Sequence, residues 1–74
     1  MSAWTYKNYS IIQKNRQKAR RWLSTATFRT RRGEFSLTAY PSTTEGYASE
    51  MKAQQATEDF VRDHIDRIAP YERP

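Results

Sequence analysis

The amino-acid sequence predicts an α+β domain in which a three-stranded antiparallel meander packs on a single C-terminal helix. Three segments support this prediction: residues 4–14 are rich in aromatic and β-branched residues, residues 21–40 have the pattern of a β-hairpin, and residues 49–68 have helical periodicity. A chain of 74 residues with 36% hydrophobic residues forms one small domain. We expect its ordered core to cover about residues 4–69 and the tail, residues 70–74, to be frayed.

The first strand is expected within residues 4–14. Its alternating pattern offers two inward faces, and we favour the one with Tyr9 and Ile11 because it buries more apolar area than the one with Ile12. Asn8 offers a bend within this segment. The expected strand is therefore a single element with a local bend.

The segment that follows is interpreted as a basic loop over residues 13–20, with its turn at Asn15. A first helix is the competing interpretation, because apolar residues recur there at helix-like spacing: Ile12, Ala19, Trp22 or Leu23, and Ala26. The strand and loop are favoured because Trp22 already belongs to the hairpin face that carries Ala26 and Phe28.

Residues 21–40 are predicted to form a β-hairpin with its turn at Arg32-Gly33, because a tight turn needs the positive φ that glycine adopts readily. This turn pairs the apolar residues on one face: Phe28 with Leu37, Ala26 with Ala39, and Thr30 with Phe35. The other face is polar, with Thr25, Thr27, Arg29 and Arg31 against Tyr40, Thr38, Ser36 and Glu34. A one-residue slip would mix the two faces, and Pro41 ends the strand because it cannot donate a ladder hydrogen bond.

The C-terminal helix is predicted to follow the N-cap residue Ser49, with Glu50 in its first turn. It ends near Ile68, because Pro70 disfavours helical geometry in the residue before it. One face is expected to pack on the sheet: Ala53, Ala56, Thr57, Phe60, Val61, His64, Ile65 and Ile68. Three of these residues, Phe60, Ile65 and Ile68, are expected to supply bulk against Trp22, Phe28, Phe35 and Leu37.

The charges are divided unevenly along the chain. Residues 1–33 contain nine basic residues and no acidic residue, whereas residues 34–74 contain eight acidic and four basic residues, so the halves carry +9 and −4 and sum to the net +5. This asymmetry indicates a polyanionic partner for the first half. An equally weighted interpretation is that a basic sheet and an acidic helix attract each other, within the monomer or across a dimer.

No pattern in the sequence indicates catalysis. His64 is the only histidine, and no carboxylate lies three or four residues from it on the predicted helix, so it is interpreted as a core or core-edge residue. The acidic residues Glu58, Asp59, Asp63 and Asp66 are interpreted as a solvated helix face and not as a calcium site. With no cysteine and no glycine-rich phosphate loop, the sequence predicts a protein that is not an enzyme and has no cofactor, metal or evident small-molecule substrate.

The predicted solvent face of the sheet and the adjoining basic loop form the candidate binding surface, and nucleic acid is the first candidate partner. Lysine and arginine neutralise phosphates, arginine on a strand can read guanine, and hydroxyl groups contact the backbone. The candidate residues are Lys14, Arg16, Lys18, Arg20, Arg21, Thr27, Arg29, Arg31, Thr38 and Tyr40. The alternative hypothesis is a protein partner or a homodimer. Without a long apolar run or a signal-peptide pattern, a soluble cytoplasmic protein with no membrane partner is expected.

Two resemblances accompany this interpretation. Over residues 4–68, the order of strand, basic loop, hairpin and helix resembles the three-stranded DNA-binding domain of tyrosine recombinases of the AP2-like kind. That resemblance implies a DNA-binding sheet face with Thr27, Arg29, Arg31 and Thr38. A second group comprises short bacterial proteins of unknown function that begin with a Tyr-Lys-Gly-Tyr strand. This chain resembles them through Tyr6-Lys7-Asn8-Tyr9, Trp22 and residues 60–65, and this resemblance implies no activity.

Overall fold

Four antiparallel strands and one helix form the part of the chain that the structure, a computed structural model, describes: residues 2–42 and 45–68. The elements are β1 (Ser2–Tyr6), β2 (Tyr9–Lys18), β3 (Arg21–Thr30), β4 (Gly33–Thr38) and α1 (Glu50–Ile68). The strands form one sheet in the order β1-β2-β3-β4, and α1 covers one of its faces. The predicted α+β class is confirmed, but the predicted number of three strands was wrong. The tail predicted at residues 70–74 lies outside the described residues.

The predicted first strand is a hairpin of two strands, β1 and β2. Tyr6 pairs with Tyr9, and the two residues between them, Lys7 and Asn8, have φ of 49° and 72°. Positive φ at both central residues gives a tight turn whose twist matches that of the flanking strands. The bend expected at Asn8 is therefore a complete reversal of the chain. The inward face is as predicted, since Tyr9 and Ile11 are buried.

The predicted basic loop over residues 13–20 was wrong, because β2 continues as a strand to Lys18. The chain reverses at Ala19 and Arg20, which have φ of 50° and 64°, so the two-residue turn forms without glycine or asparagine. Lys18 pairs with Arg21 on the other side of this turn. The competing interpretation of a first helix is excluded by the same strand pairing.

The β3–β4 hairpin forms with a register two residues from the predicted one. Thr30 pairs with Gly33, so the turn is Arg31-Arg32 and not Arg32-Gly33. The observed pairs on the helix side are Phe28 with Phe35 and Ala26 with Leu37. Because side chains alternate with a period of two, a two-residue shift leaves every side chain on its predicted face. The hydroxyl of Thr30 accepts a bond of 3.1 Å from the amide of Arg32 and so stabilises the observed turn.

The helix begins and ends as predicted. The hydroxyl of Ser49 accepts a bond of 3.2 Å from the Lys52 amide, as an N-cap does. One stripe of α1 is buried, namely Ala53, Thr57, Val61 and Ile65, and its last two members pack against Tyr9, Ile11, Ala26 and Phe28. Within the described part of the chain, no helix is both long and apolar enough to cross a membrane.

The predicted role of Phe60 in the core was wrong, since 43% of this residue is exposed. Residues four apart are about 40° apart around a helix, so the buried stripe drifts around α1 from Ala53 to Ile65. Phe60 lies on nearly the same side of the helix as Ala53. Because the buried stripe has moved around the helix by that point, this side no longer faces the sheet at Phe60. Among the other predicted contacts, Ala56, His64 and Ile68 are half-buried.

Polar residues join the first half of α1 to the sheet. The side-chain amide of Gln13, which is 1% exposed, donates to Ser24 Oγ at 2.7 Å and to the Gln54 carbonyl at 3.1 Å. Its oxygen accepts a bond of 2.9 Å from the Trp4 indole. Thr57 donates to the Ser24 carbonyl at 2.7 Å. No buried side-chain nitrogen or oxygen of the described residues lacks a partner, so this network is complete.

Candidate nucleic-acid interface

The sheet face turned away from α1 is open and carries the basic residues of β2 and β3. Lys14, Arg16 and Lys18 alternate along β2 with residues that face the helix, and all three are exposed. The strand register places Lys18 opposite Arg21 and Arg16 opposite Leu23. Six of the ten candidate residues thus line one side of these two strands: Lys14, Arg16, Lys18, Arg21, Thr27 and Arg29.

The far end of these strands extends beyond the rest of the sheet. β1 pairs with β2 no further than Gln13, and β4 pairs with β3 no further than Thr25. Residues 14–24 therefore extend past both outer strands as one pair of strands, bordered only by a single bridge from Tyr47 to Trp22 within the described residues. We call this segment the distal ribbon. It contains five of the basic residues: Lys14, Arg16, Lys18, Arg20 and Arg21.

The distal ribbon is supported from the side by the connection to α1. Tyr47 and Trp22 exchange two backbone hydrogen bonds of 2.8 Å. Gly46 is buried beside them, and a Cβ atom there would lie 2.8 Å from the Arg21 Cβ and 3.1 Å from the Trp22 carbonyl oxygen. Glycine is needed because only a residue without a side chain allows this approach. The ribbon is therefore fixed to the domain near Trp22.

A second basic cluster lies at the opposite end of the open face. Asn8, Ser10, Arg29, Thr30 and Arg31 line a depression of about 250 Å³, which we call the proximal pocket. Arg29 is 3.9 Å from Glu34, and both side chains are mostly exposed, so this ion pair is weak. Asn8 and Ser10 were missed as candidates because the turn at Lys7 and Asn8, which brings them beside Arg29, was not predicted.

Between the two basic ends, the open face carries a band of hydroxyl groups. Thr25 and Thr38 share a hydrogen bond of 2.7 Å, and Thr27 and Ser36 share one of 3.0 Å. Each hydroxyl group has one donor and two acceptor sites, so these pairs still have sites for an outside partner. The candidates Thr27 and Thr38 therefore lie where they were predicted.

Tyr40 lies elsewhere. Its side chain is exposed beyond the end of β4, in a groove of about 510 Å³ that it lines with Phe60, Ala56 and Asp59 of the helix. The structure thus brings Tyr40 to the helix side and not to the open face.

Arg31 is in the turn after β3 and Arg20 is in the turn after β2, at opposite ends of the open face.

Four of the five acidic residues of α1 form ion pairs, on the other side of the sheet. Arg62 contacts Glu58 at 3.5 Å and Asp59 at 3.3 Å, and Arg67 contacts Asp63 at 2.9 Å. Lys7 joins the basic half to the helix, through Asp66 at 2.7 Å. Attraction between sheet and helix within one molecule therefore compensates the charge of Lys7.

Most of the remaining cations have no acidic partner. Counting only residues 2–42 and 45–68, no carboxylate lies within ion-pair distance of six of them: Lys14, Arg16, Lys18, Arg20, Arg21 and Arg31. Glu45 lines a small depression with Arg16, Lys18 and Arg21 without forming an ion pair. The open face is therefore a field of largely uncompensated positive charge.

The contact of Lys7 and Tyr6 with Asp66 changes the pKa values of all three groups. Hydrogen bonds from Lys7 and then Tyr6, whose hydroxyl donates at 2.9 Å, lower the pKa of the Asp66 carboxyl. The bond to Asp66 raises the pKa of both Lys7 and Tyr6. These three groups fasten the first turn to the helix, and the charge of Lys7 is compensated there.

The histidine and the acidic residues of α1 are the other groups considered for chemistry. His64 is half-buried, with its ring centre 5.8 Å from that of Phe28, as expected for a core-edge residue. Within the described ranges no three histidine or acidic side chains come close enough together to hold a metal ion. Comparison with known protein families, curated proteins and solved structures gives no match for this chain.

Proposed function

We propose that the chain binds nucleic acid through the open face of its sheet. One observation supports this proposal above the others: six cations on or beside this face have no acidic partner among the described residues, whereas four of the five acidic residues of the helix form ion pairs. Isolated cations on a solvated sheet attract polyanions, and the phosphate backbone is the most common one.

The interaction is electrostatic in its largest part. Each phosphate that a lysine or arginine neutralises releases counterions, so affinity falls with salt in proportion to the number of contacts. If the six cations each contact one phosphate of duplex DNA, the slope of log K against log salt is about −5. The hydroxyl band between the basic ends supplies weaker contacts to phosphate oxygens or base edges.

The test is fluorescence anisotropy with labelled duplex DNA, single-stranded DNA and RNA between about 50 and 200 mM salt, where counterion release is pronounced. Replacing Arg16 and Lys18 by alanine should weaken binding and reduce the salt slope by about 2, that is, by about 1 for each lost phosphate contact. No binding to any of the three polymers at low salt would exclude the proposal.

Charge-matched controls lie on the helix. Arg67 and Lys52 are exposed on α1, on the other side of the sheet. The double variant Arg67→Ala, Lys52→Ala removes the same two residue types and the same charge. It should leave the salt slope unchanged. Equal loss in both double variants would show that net charge, and not the open face, determines the binding.

A second candidate function is self-association at β4. This strand is an edge of the sheet with one charged residue, and the large side chains of Phe35, Tyr40 and Phe60 are exposed near it. An edge strand can pair with its own copy about a two-fold axis, and a dimer would bury these aromatic rings.

Sedimentation of the protein over a range of concentrations tests this second candidate. Phe60→Asp should abolish the dimer, whereas Met51→Asp, at a helix position that is 81% exposed, should not. A monomer at millimolar concentration would rule out self-association.

A further inference from the structure

The shape of the distal ribbon limits which nucleic acid it can enter. The four-stranded part of the sheet spans about 14 Å between its outer strands, given a spacing of about 4.8 Å. The major groove of B-form DNA is about 12 Å wide and admits a two-stranded ribbon. Residues 14–24 approach that width, because β1 and β4 end before them and only the isolated bridge from Tyr47 to Trp22 lies beside them. Residues 18–21, beyond this bridge, have no third strand paired with them among the described residues.

The ribbon also carries the side chains that a major groove attracts. Arg16, Lys18, Arg20 and Arg21 lie on its open side or at its tip. Arginine and lysine bind guanine O6 and N7 in this groove, and they bind the phosphates that border it. The backbone bonds between Trp22 and Tyr47 hold the ribbon in place before binding, which reduces the entropy lost on association.

The placement of aromatic side chains argues against a single strand as the preferred ligand. Proteins that bind single strands stack the bases on aromatic rings. All six aromatic residues of the strands lie on the helix side of the sheet: Trp4, Tyr6, Tyr9, Trp22, Phe28 and Phe35. The open side of the described strands thus offers cations and hydroxyl groups but no stacking surface.

We propose that the distal ribbon inserts into the major groove of duplex DNA, while the proximal pocket contacts a phosphate further along the duplex. Arg21 and Arg29 are eight residues apart on β3, or about 27 Å at about 3.4 Å per residue. This distance exceeds the width of the groove, so the second contact falls on the backbone outside it. This inference rests on the proposed nucleic-acid function and adds the form of the nucleic acid and the element that enters it.

The first experiment compares four labelled ligands of one sequence: duplex DNA, duplex RNA, single-stranded DNA, and duplex DNA with bulky groups on the C5 atoms of its pyrimidines. The C5 position projects into the major groove, so these groups should reduce affinity by about tenfold or more if the ribbon enters there. Duplex RNA should also bind at least about tenfold more weakly, because its major groove is too deep and narrow for side chains to read.

The outcomes separate this inference from the proposed function. Tighter binding to unmodified duplex DNA than to the other three ligands supports it. Equal or tighter binding to single strands or duplex RNA, or no effect of the C5 groups, overturns the ribbon model and leaves phosphate binding intact. No binding to any ligand overturns both proposals.

A variant pair then locates the contact. Arg20→Ala with Arg21→Ala should lower affinity for unmodified duplex DNA and remove most of its preference over the C5-modified duplex. Arg29→Ala with Arg31→Ala should lower affinity for both duplexes equally, because these residues contact backbone. An unchanged preference in the ribbon variant would contradict insertion of the ribbon.

Discussion

The two faces of this sheet are built from the same strands but differ in nearly every physical property. The covered face holds the aromatic residues of the strands, an apolar cluster around Phe28 and a complete polar network around Gln13. The open face carries lysine, arginine, threonine and serine, with Ile12 half-exposed among them. Because side chains alternate along a strand, each of the central strands contributes to both faces. The comparison indicates that stability and the proposed binding can be altered separately.

The covered face is itself divided into two parts. Under the second half of α1 the contacts are apolar, with Val61 and Ile65 against Tyr9, Ile11 and Phe28. Under the first half they are hydrogen bonds, because Gln13 and Ser24 occupy the positions facing the helix. Apolar contacts supply most of the favourable free energy, whereas directional bonds favour one position of the helix over its neighbours.

The largest effect on stability is expected from Phe28→Ala. Phe28 is 2% exposed and contacts the rings of Tyr9 and Phe35, so its loss should lower the free energy of unfolding by about 3–5 kcal/mol. Urea denaturation measures this change. Phe60→Ala is the matched control and should cost less than half as much, because that ring is 43% exposed. Equal losses would contradict the observed drift of the buried stripe around α1.

The second largest loss of stability is expected from Gln13→Leu. Leucine has a similar volume but leaves the Trp4 indole without its acceptor and the Gln54 carbonyl without this donor, so we expect a loss of about 1–3 kcal/mol. Gln17→Leu is the control, since Gln17 lies on the same face of β2 but is exposed. If Gln13→Leu and the parent protein have the same free energy of unfolding in urea, the hydrogen-bond network of Gln13 does not stabilise the fold as proposed.

Much of this architecture follows from patterns that the sequence displays. The alternation in residues 21–40 predicted both faces of β3 and β4, and this prediction survived a wrong turn because a two-residue shift preserves the faces. Ser49 and the period of residues 50–68 predicted the helix and its ends.

The turns, and the polar residues that the helix covers, could not be predicted from such patterns. The chain reverses at Lys7-Asn8 and at Ala19-Arg20 with positive φ in residues other than glycine, a conformation that is uncommon for lysine, alanine and arginine. The long strand pairing compensates for the cost of such turns. Gln13 and Asn15 looked like loop residues because their burial depends on partners from α1. The cations of the open face could nevertheless be proposed as candidates from the sequence, because the charge of a residue does not depend on where the chain turns.

Lys18→Glu is expected to have a smaller effect on stability. It should make the fold more stable and nucleic-acid binding weaker. Lys18 lies opposite Arg21 on the open face, and like charges in such a pair are unfavourable, so the substitution should raise the free energy of unfolding by about 0.5 kcal/mol. It should also weaken nucleic-acid binding and lower the salt slope. A gain in stability with a loss of binding is expected of a surface that is used for recognition.

Lys52→Glu provides the control for that variant. It changes the net charge by the same amount and completes the pattern of a capping box with Ser49, so it should also stabilise the fold. It is exposed on α1, on the other side of the sheet from the open face, and binding should be affected much less. Anisotropy titrations of both variants at one salt concentration would show whether the location of the charge matters; equal weakening would contradict the proposed interface.

The smallest effect on stability is expected from the contacts of Asp66 with Tyr6 and Lys7, which join the first turn to the helix. The pKa of Asp66 is lowered from 3.8 in the folded protein, so its contribution to stability is present above pH 3.8 and is lost as pH falls through the lowered value. The pKa values of Tyr6 and Lys7 are raised from 10.0 and 10.5, so their contribution is present below those values and lost as pH rises further. The difference in melting temperature between the parent and Asp66→Asn should therefore be largest between about pH 4 and 10 and should shrink at both ends. Asp63→Asn, which removes only a contact within the helix to Arg67, should lack the alkaline decline; a decline in both variants would mean that Tyr6 and Lys7 do not depend on Asp66.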